Sequence, residues 1–288
     1  MLKQRVITAL ILLAILLPAL FYTGSSTPFA VLMLIFMAAG AWEWGRLNGF
    51  GQMGSLVVGG VCTVLCAASW WAGWLQQPLG AFGMLWVIAG GMWVLGGGLL
   101  LRAGVAGWPH IPAAVRLVGG VLALWVAWMA VVQARNVGIN FLLSMLVLVW
   151  VADVFAYFAG RTFGLKFTKN KLAPTVSPGK SWEGVWGGML GVIALALLWV
   201  WADRHYGAGV PSFYSVLQSR GTWFLLLAVV FMAAMSVVGD LVESLIKRSV
   251  GVKDSSGLLP GHGGVLDRID ALLPTLPLAM MLSSFVHP

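Results

Sequence analysis

What this chain has least of is charge. Asp, Glu, Lys and Arg make up 9% of its 288 residues, against about 25% in an ordinary soluble domain. With 60% hydrophobic residues it cannot turn a polar surface to water on every side, which excludes a soluble globular fold and points to a bilayer as solvent. The cysteines, Cys62 and Cys66, are too few for a disulfide framework or a zinc site. Both lie in one apolar segment and read as two packed thiols. No HExxH, P-loop or GxSxG run is present, no period of about 20 to 50 residues repeats, and no Pro- or Ser-rich linker divides the chain. Zinc peptidases, Walker-type NTPases, serine hydrolases and solenoids are thereby set aside, and one integral domain is the simplest organisation.

The chain does have long apolar runs. A membrane span needs about 20 mostly apolar residues, and about nine such segments occur: roughly 6 to 22, 28 to 44, 54 to 75, 79 to 100, 117 to 134, 139 to 159, 183 to 202, 221 to 239 and 270 to 286. The expected fold is therefore an all-α, polytopic integral membrane protein of about nine transmembrane helices. The first segment follows Lys3 and Arg5 as a signal peptide would, but lacks a clear small-residue cleavage site, and is read as a retained span. The 16 Trp are read as interfacial anchors and packing.

A net charge of +8 bears first on topology, not on nucleic acid. Threading the spans alternately puts the N-terminus and the connections near 46, 101–116, 160–182 and 240–269 on one side. Of the 17 basic residues, all but Arg135, Arg204 and Arg220 fall on that side, which the positive-inside rule makes the cytoplasm. Of the nine acids, all but Asp203 are there too. Lipid-facing acids at membrane depth are costly, so these should face a polar cavity or partners, and function belongs on the cytoplasmic face.

The polar residues gather most densely in SLIKRSVGVKDSSGLLPGHGGVLDRID, residues 244–270. If the eighth helix continues past its apolar part, Asp240, Ser244 and Lys247 share one face at i, i+4 and i+7, flanked by Glu243 and Arg248. KDSSGLLPGHGG reads as a loop, in which Gly261, Gly263 and Gly264 let backbone amides approach a phosphate. Asp267 and Asp270 lie three apart at the start of the last span, where a helix N-terminus favours carboxylates. With Asp240 they suit a hard cation such as Mg2+, while Lys247, Arg248, Lys253 and Arg268 meet the remaining phosphate charge. The combined reading is metal-assisted phosphoryl or nucleotidyl transfer. The competing reading is a juxtamembrane loop whose basic residues touch anionic headgroups. His262 could be an acid, a phosphate donor or merely solvated.

A second polar stretch, WVADVFAYFAGRTFGLKFTKNKLAPTVSPGKSWEG, covers residues 150–184. Lys171, Ser177, Lys180 and Ser181 could bind phosphate, or serve as positive-inside charge and helix caps.

The run from Ser244 to Asp270, with KR, KD, PGHGG and DRID in this order, resembles the signature of the phosphatidate cytidylyltransferases, also called CDP-diacylglycerol synthases. AYFAGR and KLAPTVSPGKSWEG resemble that family's second region, and Glu43-Trp44 a weaker one. The resemblance implies an all-helical dimeric enzyme of the bacterial inner membrane that makes CDP-diacylglycerol and pyrophosphate from CTP and phosphatidate using a divalent metal, and the positive-inside threading puts its N-terminus in the cytoplasm. By position, Asp240, Asp267 and Asp270 would hold Mg2+, with a second cation possible, and Ser244 and Lys247 would line the nucleotide phosphates. His262, Gly263 and Gly264 fall in the substrate-binding loop. Membrane lipids are expected partners and nucleic acid is not. Residues 1–135, about five spans, would be scaffold and dimerisation surface, and 136–288 the catalytic region. Val154 and Phe155 follow Asp153 where the family often has a small or hydroxyl residue and Gly, so Asp153 is given no catalytic role. An ion-coupled transporter is the alternative from another class, but it predicts broken helices and inverted repeats in both halves.

Overall fold

The computed structural model describes residues 2 to 286. Positions 1 and 287–288, the outer ends of the two regions expected from the sequence, lie outside them. Nine helices among the described residues are long and apolar enough to cross a membrane, matching the expected segments one for one, and these residues contain no extended strand. They are α1 (Leu2–Phe21), α2 (Thr27–Leu47), α3 (Gln52–Trp71), an interrupted span that includes α4 (Gly83–Gly91) and α5 (Gly97–Gly107), α6 (Ala113–Val137), α7 (Ile139–Phe163), α8 (Trp182–Tyr206), α10 (Thr222–Ser249), and α11 (Leu266–Ile269) with α12 (Leu272–Val286). A short helix, α9 (Phe213–Gln218), lies in the connection between α8 and α10.

Three elements go beyond the segment bounds read from the sequence, one of them as the spacing of Asp240, Ser244 and Lys247 anticipates. The fourth span passes through a π-helical stretch, Met92–Gly96, and kinks at Gly104, whose φ of 68° and ψ of −171° are open to glycine. The glycine-rich run GGMWVLGGG supplies the backbone freedom for that irregularity. The eighth helix does not stop at 239. It runs to Ser249 because Leu241, Val242, Leu245 and Ile246 keep a buried stripe at helical spacing. The last span is interrupted between Ile269 and Leu272, where Asp270 and Ala271 form a turn.

Hydrogen bonds at the helix ends test the alternating topology. On one face, Thr8 Oγ1 donates to Pro260 O at 3.0 Å and Trp44 Nε1 to Leu117 O at 3.2 Å. On the other, Arg135 donates to Leu20 O, Asn136 to Leu75 O, Asn140 to Val210 O and Arg220 to Phe285 O, each at 2.8 Å. Every one of these bonds joins connections that the alternation puts on the same side. The threading is therefore internally consistent from the first span to the last.

The core lies around α6, α7, α10 and α12, where Trp128, Phe141, Leu225 and Leu278 are fully buried. Helices α7 and α8 approach closely because glycines face backbone across the contact. A Cβ on Gly184 would stand 3.0 Å from Ala156 O, and one on Gly188 2.8 Å from Ala152 O. Cys62 and Cys66 are free and buried, as two packed thiols should be. Helix α1 is the exception to this packing: of its described side chains only Leu20 is buried, and Leu10 and Ile15 are more than half exposed.

Candidate active site

The continuation of α10 sets Asp240, Ser244 and Lys247 on one face, as their spacing requires. Ser244 Oγ donates to Asp240 Oδ1 at 3.2 Å. The Lys247 ammonium sits between two carboxylates, 2.5 Å from Glu243 Oε2 and 2.5 Å from Asp267 Oδ1. All three side chains are nearly closed to solvent, at 12% exposure for Lys247, 9% for Glu243 and 5% for Asp267. A single ammonium is thus shared by two buried carboxyl groups.

A second group forms on the same side. Lys180, from the loop before α8, lies 2.5 Å from Asp240 Oδ2. Asp240 in turn is within Coulombic reach of Asp270 and of Asp153 on α7. Gly239 makes this approach possible. A Cβ there would stand 2.5 Å from Asp270 O and 2.8 Å from Pro274 Cγ, so a larger residue would push α10 away from the start of the last span. Asp270 Oδ1 accepts the amide of Ala271 at 2.7 Å.

Asp267 points elsewhere. Besides Lys247, it accepts from the Ser255 amide at 2.9 Å, Ser255 Oγ at 3.0 Å and the Gly264 amide at 2.7 Å, all at Oδ2. Asp240, Asp267 and Asp270 therefore do not close around one point, and among the described residues no three acidic, His or Cys side chains form a metal-holding group. Spacing alone suggested a common face for Asp267 and Asp270. The loop's own donors instead draw Asp267 away, while Asp240 and Asp270 remain close enough to interact electrostatically.

The glycines of PGHGG have a local explanation. His262 N donates to Leu259 O at 2.8 Å, closing a four-residue turn with Pro260 and Gly261 at its centre. The φ of +77° at Gly261 is what the second central position of a type II turn demands. Gly264 is excluded from bearing a side chain by contact, since a Cβ would stand 2.5 Å from Glu43 Oε1. The expectation that these amides face a phosphate is corrected for Gly264, whose N–H is already given to Asp267.

The other residues marked in the sequence are more peripheral. Lys171 and Lys253 are exposed on their loops. Arg248 is exposed and donates to Val252 O at 3.3 Å, and Arg268 donates to His262 O at 2.7 Å. The amide of Ser177 closes a turn on Ala173 O, while Ser181 Oγ caps α8 through Gly184 N. Gly263 has a φ of +85° beside Asp267, and the Nδ1 of His262 is buried without a hydrogen-bond partner.

Sequence reasoning gave Glu43 no task, yet it organises the signature loop. This fully buried carboxylate at the end of α2 accepts Ser256 Oγ at 2.5 Å, Leu266 N at 2.8 Å, Val265 N at 2.9 Å and Ser255 Oγ at 3.1 Å. It thereby satisfies amides at the start of α11, where a negative charge also suits the helix dipole. Glu183 does the same for the other loop, accepting the Thr168 amide at 2.7 Å, its hydroxyl at 2.8 Å and the Phe167 amide at 3.2 Å. The signal for both was an acid at the end of an apolar span, where only multiple donors offset its burial.

The chain matches the cytidylyltransferase family over residues 3–286. It is 39% identical over 284 residues to a phosphatidate cytidylyltransferase of Pseudomonas aeruginosa, covering 96% of this chain and 95% of that protein. A phosphatidate cytidylyltransferase of Haemophilus influenzae is 35% identical over 321 residues, covering 99% and 100% respectively. One from Thermotoga maritima is 43% identical over 149 residues, about half of each chain. A match across nearly the whole length, on a nine-span helical fold with its acids and lysines gathered on one face, makes this chain a member of the cytidylyltransferase family and a multi-pass membrane nucleotidyltransferase.

Proposed function

We propose that the protein transfers the cytidylyl group of CTP to phosphatidate, giving CDP-diacylglycerol and pyrophosphate for phospholipid synthesis. The observation that carries this reading is the juxtaposition of Asp240 and Asp270 with Lys180 and Lys247 at the end of the spans. A lipid phosphate and a nucleotide from the aqueous side can meet there. Being a nucleotidyltransferase, the chain is not the ion-coupled transporter kept as an alternative. The active face is cytoplasmic in this reading, with the N-terminus on that side of a bacterial inner membrane, and the protein works as a homodimer. Residues 1–135 supply support and the dimer surface, and residues 136–288 most of the catalytic groups. Nucleic acid has no part in it.

The chemistry needs alignment and charge neutralisation more than a base. A phosphate monoester has its second pKa near about 6, so the attacking oxygen of phosphatidate is already largely anionic at neutral pH. That oxygen forms a bond to the α-phosphorus of CTP, the bond from this phosphorus to the bridging oxygen breaks, and pyrophosphate leaves in line. Lys180 and Lys247 bind phosphate oxygens, with Ser244 as a further donor. Arg248, Lys253, Arg268 and Lys171 draw the polyanions to the surface, and Ser177, His262 and Gly263 border the approach.

The residues fit a divalent cation. Mg2+ is commonly held by one or two carboxylates and completes its shell with water and substrate phosphates, and Asp240 and Asp270 form such a pair. Asp267 would join them, or hold a second cation, only if Lys247 released it. Held by Asp240 and Asp270, a bound Mg2+ would supply charge neutralisation on the reacting phosphates.

Label transfer tests the function. Purified protein in mixed micelles with phosphatidate and α-labelled CTP should move label into the lipid fraction with Mg2+ and not with chelator. Folded protein that transfers no label would overturn the proposal, and transfer unaffected by chelator would overturn the metal role.

A further inference from the structure

The least supported helix of the fold touches the signature loop at one end. Thr8 of α1 donates to Pro260 O, and a Cβ on Gly261 would stand 2.9 Å from Arg5 Cγ, so α1 lies directly against the PGHGG turn. Between the two is a cavity of about 360 Å3, within the roughly 300–1,000 Å3 range of ligand sites. Its walls are Gln4, Ile7, Thr8, Ile11 and Leu12 of the helix and Leu259 and Pro260 of the loop, apolar apart from Gln4 and Thr8. Ile7 is 45% and Ile11 55% exposed on a membrane-spanning helix, so the cavity opens to the acyl region of the bilayer.

We infer that this cavity receives an acyl chain of the phosphatidate substrate, which enters sideways between α1 and the signature loop. The inference rests on the proposed function. The occupant is identified by a gradient of chemistry along one short path. An apolar slot at membrane depth ends at Arg5 and Arg268, two cations beside Gly261 and His262, and the same loop then leads to Asp267. That sequence of surfaces fits an amphiphile with a fatty tail and an anionic head. A nucleotide has no use for the slot, and a zwitterionic lipid has less use for the cations. Binding here would bring the lipid phosphate to the site along the loop, while the nucleotide arrives from the aqueous side.

Two measurements test it. In the unaltered protein, a phosphatidate with a photoreactive acyl chain should label residues 4–12 and 259–260, and excess unlabelled phosphatidate should displace it where phosphatidylcholine does not. Label elsewhere, or equal displacement by both lipids, would overturn the inference. Filling the slot with Ile11→Trp should raise the KM for dioleoyl phosphatidate about 10-fold while leaving turnover of dihexanoyl phosphatidate and the KM for CTP unchanged. Met53→Trp, at a lipid-exposed position of α3, serves as the control for a new tryptophan and should change neither lipid's KM. An equal effect of Ile11→Trp on both lipids, or none, counts against the slot. If the unaltered protein turns over neither phosphatidate, the functional reading itself fails, and the slot falls with it.

Discussion

Lys247 is held between Glu243 and Asp267, and removing its charge strands two buried carboxylates at once. Loss of one partner from a buried ionic group costs about 3–5 kcal/mol, so Lys247→Met should lower the thermal unfolding temperature in detergent as well as abolish turnover. Pairing it with Glu243→Gln should restore much of the stability and none of the activity. Recovery of activity in the double variant would reject a phosphate-binding lysine. Asp270→Asn makes a separate prediction, because Asp270 lies outside that ion pair. The variant should insert and melt normally yet lose turnover by about 100-fold or more, with near-normal turnover sinking its proposed metal role. Glu43→Gln tests the loop anchor. An amide can keep one accepting oxygen, but its NH2 would face donors, and hydrogen bonds to a charged group contribute about 1.5–3 kcal/mol each. Destabilisation measured by thermal unfolding, with faster proteolysis within residues 251–265, is the expected result.

At the scale of elements, the signature loop is a turn before it is a binding site. Gly261→Ala would place a side chain in a left-handed conformation at a cost of about 1–2 kcal/mol, and would press on Arg5 as well. Hydrogen exchange should therefore rise in both the loop and the first turns of α1, and adding Arg5→Ala should relieve the part due to crowding. What the sequence revealed of these elements follows from what periodicity can report. Nine apolar runs and the helical spacing of Asp240, Ser244 and Lys247 are local patterns, and they survive in the structure. The interruption of the fourth span was visible only as a glycine run with no stated consequence. Asp267 and Asp270 show the limit more sharply. Their spacing put them on one face, but the donors that turn Asp267 away come from Ser255 and Gly264, brought back by a loop whose path no period encodes. Glu43 was equally unreadable, because its partners are more than 200 residues away.

For the whole molecule, two opposed sets of loop contacts define two faces, and the proposed topology takes the one richer in basic residues as cytoplasmic. With Cys62 and Cys66 buried, added thiols can report that orientation in intact cells. Lys253→Cys and Lys171→Cys should react with a membrane-impermeant maleimide only after the cells are opened. Arg204→Cys should react from outside, and the reverse pattern would invert the topology. A recurring device also appears at this scale: Glu43, Glu183 and Asp203 each tether one loop by collecting several of its donors. Asp203 does so on the opposite face, through Asn140, Ser212 and Ser215. Three of the acids in so apolar a chain thus have a structural task as loop anchors.

The tether at Glu43 sets an order of events during synthesis. Its partner Ser255 is 212 residues further along the chain. At roughly 5–20 residues per second, α2 waits about 10–40 s before the donors it needs are made. Over that interval the carboxylate must rest at the membrane border, hydrated or neutralised by a proton, while six more spans are inserted. Only arrival of the final span draws it inward and gives the PGHGG segment its shape. The signature loop is therefore among the last parts of the chain to take its shape, because the acid that anchors it waits for donors made near the end of synthesis.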